Sequence, residues 1–247
     1  MNMLWMQSVM DVRRILRNKY YVISSLTMPI LFYVIFTRLV QGGSEGMDAG
    51  EWQARYLMSM TTFSIMGTAI LQLGIRNVEE RSKGWALFMR ITPLPASIYF
   101  LSKMIAQSVI HLLSIVVIFI AGMLINDIQL SWATWLFSGC WIFLAAFPFL
   151  ALGTLLGTMK RVDTAAGVGN LFYFALAITG GMWMPIEMFP DIMQAIGKWL
   201  PSYSFGSGAW DLVSGEAPKW RDAAILIGYM VLFMVLSSYI RKKQEAV

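Results

Sequence analysis

The sequence predicts an all-α integral membrane protein with six transmembrane helices. Of the 247 residues, 57% are hydrophobic and 13% are charged, against roughly 45–50% and about 25% in soluble domains. The mean hydropathy is +0.62. The apolar residues form separate runs of about 20, the length at which a helix crosses a hydrocarbon core of roughly 30 Å. Helical spans are therefore favoured over a membrane-spanning barrel.

The predicted segments form a single transmembrane domain over residues 1–247. In chain order they are an interfacial helix at 1–20, spans 1 and 2 at 21–75, a short charged helix at 76–95, spans 3 to 5 at 96–184, an external segment at 185–221, and span 6 with a basic tail at 222–247. The first segment has an apolar face and basic residues toward its end, which is typical of a helix lying on anionic lipid. A positively charged flank that only orients span 1 explains the same residues.

The external segment is predicted from its prolines. Pro185, Pro190 and Pro201 leave stretches between them that are too short to span a membrane, which favours a re-entrant or interfacial helical segment. Residues 202–221, which follow, have a soluble-looking composition.

Two features inside the predicted spans are expected to serve packing. His111 is the only histidine, and no Asp or Glu accompanies it in span 3. A hydrogen-bonded packing role is therefore favoured over proton relay. Gly153 and Gly157 form a Gly-x-x-x-Gly pair, which is a helix-packing motif of low specificity.

The distribution of Lys and Arg predicts the orientation. With six spans both termini lie on one side, and that side carries 14 of the 19 basic residues. The other five are Arg38, Arg55, Lys198, Lys219 and Arg221. Because positive charge collects on the cytoplasmic side, we expect a multi-pass plasma-membrane protein with both termini in the cytoplasm. Topology thus explains the net charge of +5, and no nucleic-acid partner is expected.

Neither catalysis nor the binding of a cofactor or metal is expected of this chain. Glu79 and Glu80 are adjacent, so on a helix their side chains point about 100° apart and do not form an acid–base pair. Cys140 is the only cysteine, which excludes a cysteine-based metal site. Gly197-Lys198 is followed by Trp199, so there is no phosphate-binding loop. We expect no catalytic, cofactor-binding or metal-binding residue, and therefore not an enzyme.

The charged helix at 76–95 carries the strongest functional signal. Its apolar residues have helical spacing, and Pro93 and Pro95 end it because proline lacks the backbone amide. Trp85 and Phe88 stand beside charges, a mixture enriched at protein interfaces. A docking helix is favoured, and a solvated turn is the competing interpretation.

This segment resembles a known family. Glu80-Arg81, Gly84 and Leu87-x-x-Arg90-x-Thr92-Pro93-Leu94-Pro95 are similar to Glu-Arg-x-x-Gly-Thr…Leu-x-x-Thr-Pro between the second and third spans of type-2 ABC exporter permeases. The likeness covers the whole chain: a basic N-terminal helix, six spans and a proline-broken external segment. The Thr-Pro-Leu-Pro ending looks most like the drug-export branch. Trp85 stands where that family usually has Thr.

The resemblance implies partners and a site. The segment at 76–95 would be a cytoplasmic coupling helix that docks on a separate ABC ATPase subunit, which binds the ATP, so this chain would hold no cofactor. A second permease chain, as a homodimer in membrane lipid, is also implied. The docking residues implied are Glu79, Glu80, Arg81, Gly84, Trp85, Leu87, Phe88, Arg90, Thr92 and Pro93.

The substrate expected is hydrophobic or amphiphilic, such as a drug, lipid or peptide, because His111 alone provides an intramembrane acid or base for a charged solute. Two other functions fit the same pattern. One is the permease of an ion-extruding ABC system, and the other is a non-transporting membrane subunit of a sensor complex.

Overall fold

The computed structural model describes residues 3–38, 48–84 and 95–245. Every regular element within these ranges is helical, as the sequence predicts. The helices are α1 (Met3–Arg17), α2 (Lys19–Arg38), α3 (Ala49–Gly67), a π-helical segment (Thr68–Gln72), α4 (Leu73–Ser82), α5 (Ala96–Asn126), α6 (Trp132–Ala145), α7 (Phe147–Leu156), α8 (Val162–Thr179), a 3₁₀ turn (Ile186–Met188), α9 (Asp191–Gly197), α10 (Pro201–Val213) and α11 (Trp220–Glu245).

The fold confirms the predicted multi-pass class. Five helices among the described residues are long and apolar enough to cross a membrane, and the bent pair of α1 and α2 brings the number to six. Span 4 consists of α6 and α7, which meet at Ala146. Pro148 lies in the first turn of α7, where a missing amide leaves no hydrogen bond unmade.

A single long helix occupies the centre. It comprises α3, the π-helical segment and α4, runs unbroken over Ala49–Ser82, and is 83% buried over its apolar part. We call it the central rod; α2, α5, α7, α8 and α10 all pack against it. The rod continues seven residues beyond the predicted end of span 2 at 75. The charged residues there do not end the helix because the most buried of them, Glu80, has cationic partners inside the fold.

We call the end of the bundle that holds α1 and the last turn of α11 the terminal end, and the opposite end the distal end. At the terminal end, Arg14 of α1 contacts Glu80, and Gln244 of α11 donates a hydrogen bond to the carbonyl of Thr158 over 3.0 Å. At the distal end, Ser214 donates to Glu51 over 2.8 Å. Among the described residues, α1 and the last turn of α11 therefore lie at the same end.

Close backbone contact fixes α7 against the rod. A Cβ on Gly153 would lie 2.2 Å from the carbonyl oxygen of Ala69 in the π-helical segment, and one on Gly157 would lie 2.8 Å from Cβ of Asn77. The predicted Gly-x-x-x-Gly pair thus packs helices within the chain, where small residues let backbones approach.

The region after α8 differs from expectation. Residues 202–221 look soluble, yet α10 is one of the most buried helices, with Ser204, Phe205 and Gly208 shielded from solvent. Its serines and glycines are small enough for close packing, and a Cβ on Gly208 would lie 2.2 Å from the Trp141 ring. The Trp141 indole donates to the carbonyl of Phe205 over 3.0 Å. Hydropathy missed this helix because small side chains contribute little apolar surface.

His111 is buried in α5, 1% exposed, with its Nε2 3.4 Å from the amide nitrogen of Gln107. This is the environment expected of a packing histidine.

Replacing Gly153 by Ala should destabilise the protein by about 1–3 kcal/mol, because the new methyl group would overlap the Ala69 backbone. Gly228→Ala in α11 is the matched control, since nothing lies within 4 Å of that position and Ala favours helix. The melting temperature of the detergent-solubilised protein measures the difference. Equal melting temperatures for the two variants would contradict the proposed contact.

Candidate functional site

A buried carboxylate organises the terminal end of the bundle. Glu80 of α4 is 3% exposed. Its Oε1 lies 2.8 Å from Arg14 Nη1 and 3.2 Å from Arg76 Nε, and its Oε2 accepts hydrogen bonds from Lys103 and the Tyr99 hydroxyl. Removing a carboxylate from water costs several kcal/mol, which such partners offset.

A second carboxylate extends the network. Asp11 of α1 is 4% exposed, and its Oδ1 lies 3.0 Å from Arg76 Nη2. Ser102 donates to its Oδ2 over 3.3 Å, and Lys103 also donates to Asn77 over 3.0 Å. Two acids and three bases therefore connect α1, α4 and α5. We call this group the ion cluster; its members are Asp11, Arg14, Arg76, Glu80 and Lys103.

Tyr99 completes the cluster as a neutral donor. The Tyr99 hydroxyl donates a hydrogen bond to Oε2 of Glu80. The cluster thus gains a hydrogen bond without a further charge.

Apolar contacts support the same arrangement. The inner face of α1 carries Asp11 and Ile15, and Ile15 packs with Ala106 and Ile110 of α5. Trp5 and Met10 on its other face are exposed. The helix is therefore anchored to the bundle on one face and presents an apolar face outward, as an interfacial helix requires.

The structure separates the predicted docking residues into two groups. Glu79 is surface-exposed with its Oε2 3.8 Å from Lys83, whereas Glu80 faces inward. Arg81 is half-buried and donates to the carbonyl of Met159 and, over 3.4 Å, to Gln244. Gly84 has a φ of 76°, the left-handed conformation that ends helices and favours glycine. Trp85, Leu87, Phe88, Arg90, Thr92 and Pro93 lie outside the described residues.

Sequence reasoning missed the partners of Glu80. The available signals were that Asp11 is the only acid before Glu45 and that Lys103 is the only Asp, Glu, Lys or Arg between Arg90 and Asp127. An isolated charge flanking or entering a span needs a partner. Which acid meets which base depended on how the helices pack.

A lateral groove opens between α2, the rod and α8. Its volume is about 250 Å³, and its lining mixes Met28, Phe63 and Leu71 with hydroxyl groups of Ser25, Thr68 and Tyr173. Tyr173 donates to the carbonyl of Phe63 over 3.3 Å. Gly67 leaves room for that ring, since a Cβ there would lie 2.8 Å from it. The groove suits a molecule with both apolar and polar parts.

The described residues contain no group of three or more His, Cys, Asp or Glu side chains that would hold a metal ion.

Comparison with known proteins decides the family. The family described as "ABC-2 family transporter protein" matches residues 45–239. Over all 247 residues of this chain and the full length of the relative, the sequence is 60% identical to "Putative transport permease YvfS" of Bacillus subtilis (strain 168). The chain belongs to the ABC-2 transporter family.

A more distant relative shares part of the chain. The "Linearmycin resistance permease protein LnrN" of Bacillus subtilis (strain 168) is 25% identical over 129 residues, which are 48% of this chain and 33% of the relative. Membership confirms the predicted type-2 ABC permease and the expectation of a transport protein that is not an enzyme. ABC-2 permeases generally work with an ATPase subunit.

Replacing Glu80 by Gln should lower the free energy of unfolding of this ABC-2 permease by about 3–5 kcal/mol, because Lys103 and Arg76 lose a buried counter-charge. Glu79→Gln, the adjacent exposed position, should change it by no more than about 1 kcal/mol. Thermal unfolding in detergent measures both.

Adding Lys103→Met to the Glu80→Gln variant should recover part of the lost stability, since it removes the cation left without its counter-charge. If the Glu80 and Glu79 variants unfold at the same temperature, Glu80 does not hold the three helices together.

Proposed function

We propose that this chain is the membrane-spanning permease of an ATP-driven exporter of a hydrophobic or amphiphilic substrate, such as a drug, lipid or peptide. A separate ABC ATPase subunit binds and hydrolyses the ATP, and two copies of the chain form the translocation path. The observation that carries the proposal is the ion cluster, which joins α1, α4 and α5 through Arg76 and Glu80, two residues of the predicted docking segment at 76–95.

Charge supports a plasma-membrane protein with the terminal end in the cytoplasm. The five basic residues predicted to be external belong to the distal half of the described bundle, for example Arg38, which donates to the carbonyl of Ile125 over 2.6 Å. The cluster and the basic end of α11 lie at the opposite end. The preference for positive charge on the cytoplasmic side therefore supports a docking segment on that side, where an ATPase subunit would contact it.

The cluster supports a mechanical link between ATPase and permease. A partner pressing on Glu79, Arg81 and the following segment would push the end of the rod. Because Glu80 binds Arg14 of α1 and Lys103 of α5, these helices would follow the rod. In this proposal the buried Glu80 holds the docking segment at 76–95 in position, and the exposed and apolar residues of that segment contact the partner.

The lateral groove supports an amphiphilic substrate and a dimer. Tyr173 of α8 lines the groove, and within one chain α8 is only 28% buried and exposes Leu171 and Phe172. A second copy packed on this face would close the groove into a path between protomers. The similarity to a resistance permease fits export of a harmful compound.

Phe88→Glu should separate the ATPase from the permease while the chain stays in the membrane. In complexes purified from the host through a tagged permease, native mass spectrometry should find two permease chains with an ATPase. The variant should hold at least about ten-fold less ATPase, since a lost interface anchor costs roughly 2 kcal/mol or more. ATP-driven uptake of fluorescent amphiphilic dyes into inverted vesicles should fall in parallel.

Phe88→Leu, which keeps an apolar side chain, is the control and should retain both the ATPase and the dye uptake. Normal ATPase content and uptake in Phe88→Glu would overturn the docking proposal. A single permease chain in the purified complex would overturn the dimer. ATP-driven uptake of sodium ions into the vesicles, without uptake of the dyes, would favour an ion-extruding system.

A further inference from the structure

A second cavity lies at the distal end, inside one protomer and away from the lateral groove. It has a volume of about 70 Å³ and sits between the start of α3, the segment after α8, and α10. One water needs roughly 10–15 Å³, so the cavity has room for several waters or for one end of a larger molecule. We call it the distal cavity.

Aromatic rings form its walls. Trp52 and Tyr56 stack at a centroid distance of 5.6 Å on the rod side, and Tyr203 and Trp210 meet edge to face at 5.9 Å on the α10 side. Trp183, from the segment after α8, is the fifth aromatic residue lining it. Such walls suit an apolar body that carries a polar end.

Three hydrogen-bond donors of this cavity have no partner among the described residues. They are Nε1 of Trp52, the hydroxyl of Tyr56 and Nε1 of Trp183. Tyr56 is 3% exposed, so bulk water does not supply its partner. By contrast, the indole of Trp210 in the same walls donates to Ser59 over 2.9 Å. A buried donor in these walls is therefore hydrogen-bonded where a side chain of the fold lies close enough to accept.

The chemistry of these donors specifies what would match them. An indole N–H donates and never accepts, so a matching group must present hydrogen-bond acceptors, of which carbonyl, ester and hydroxyl oxygens are the commonest in amphiphiles. A cationic head group offers no acceptor. The charged residues lining the cavity are Arg55, Glu187 and Asp211, and Asp211 is paired with Lys219 at 3.3 Å. With Lys219 included, the set has two charges of each sign and favours neither an anion nor a cation.

We infer that the distal cavity binds the oxygen-bearing end of an uncharged amphiphile, held by the Tyr56 hydroxyl and the indoles of Trp52 and Trp183. The inference rests on the proposed function in taking this ligand as the transported class. Binding itself requires neither the ATPase nor ATP, so it is tested on the permease alone.

The test uses photo-crosslinking in nanodiscs. The probe is a monoacylglycerol with a diazirine on the acyl carbons next to its ester, and the comparison probe carries a trimethylammonium head on the same chain. Mass spectrometry of labelled peptides should show labelling at Trp52, Tyr56, Trp183, Tyr203 or Trp210 that excess unlabelled monoacylglycerol removes. The cationic probe should not label these residues above its labelling of the lipid-facing helices.

Tyr56→Phe should weaken the competed labelling about three-fold to ten-fold, the effect of losing one hydrogen bond. Because it removes a hydroxyl without a partner, the melting temperature should stay equal or rise. Tyr33→Phe is the matched control: Tyr33 stacks on Tyr56, but its hydroxyl accepts a hydrogen bond from Asn126 over 2.8 Å and it does not line the cavity. Its labelling should match the unmodified protein.

Absence of competed labelling at these five residues, or equal labelling in the Tyr56→Phe and unmodified proteins, would overturn the inference and leave the cavity a site for ordered water. Stronger labelling by the cationic probe would also overturn it. Neither result affects the ATPase test, so the two proposals can fail separately.

Discussion

The structure depends on the need to neutralise one buried carboxylate. Glu80 lies near the end of the most buried helix, where an isolated charge would cost several kcal/mol. The fold meets this cost by bringing Arg14 from α1 and Lys103 from α5 to the same carboxyl group. Three helices that the hydrophobic effect alone would allow to slide are thereby held in one register.

The central rod connects this cluster to the other end of the molecule. Tyr56 and Glu80 belong to one unbroken helix and are 24 residues apart in the sequence, which at 1.5 Å per residue corresponds to roughly 36 Å. Gly153 holds α7 against the middle of the rod through backbone contact. Proposed docking at one end and the distal cavity at the other therefore share a single, closely packed element.

Much of this architecture could be predicted from apolar run length, since a 20-residue hydrophobic stretch has few alternatives to a membrane helix. The family was accessible as well, because Glu80-Arg81, Gly84 and Thr92-Pro93 stand at characteristic spacing. The direction of the Glu80 side chain was not accessible. Glu79 and Glu80 are the same amino acid at adjacent positions, and only the packing of α1 and α5 decides which of them is buried.

Small residues were the second reason why the structure predicted from the sequence differed from the observed one. Ser204, Gly206 and Gly208 lower the hydropathy of α10 but allow it to pack closely against α6 and the rod. The distal cavity likewise combines Trp52 with Trp183, which are distant in sequence, and no local pattern indicates that their indoles share a cavity. Features that depend on long-range packing were beyond a reading of local sequence.

The central claim is that α1, the rod and α5 move as one body when the ATPase binds ATP. In a chain whose only cysteine, Cys140, is replaced by Ser, spin labels at Met10 of α1 and Leu112 of α5 report distances within this body, and a label at Met10 in each copy of the proposed dimer reports its movement. In the complex with the ATPase, trapping with ATP and vanadate should leave the Met10–Leu112 distance within one copy unchanged and shift the Met10–Met10 distance between the copies. A shift between Met10 and Leu112, or no shift in either pair, would contradict the account.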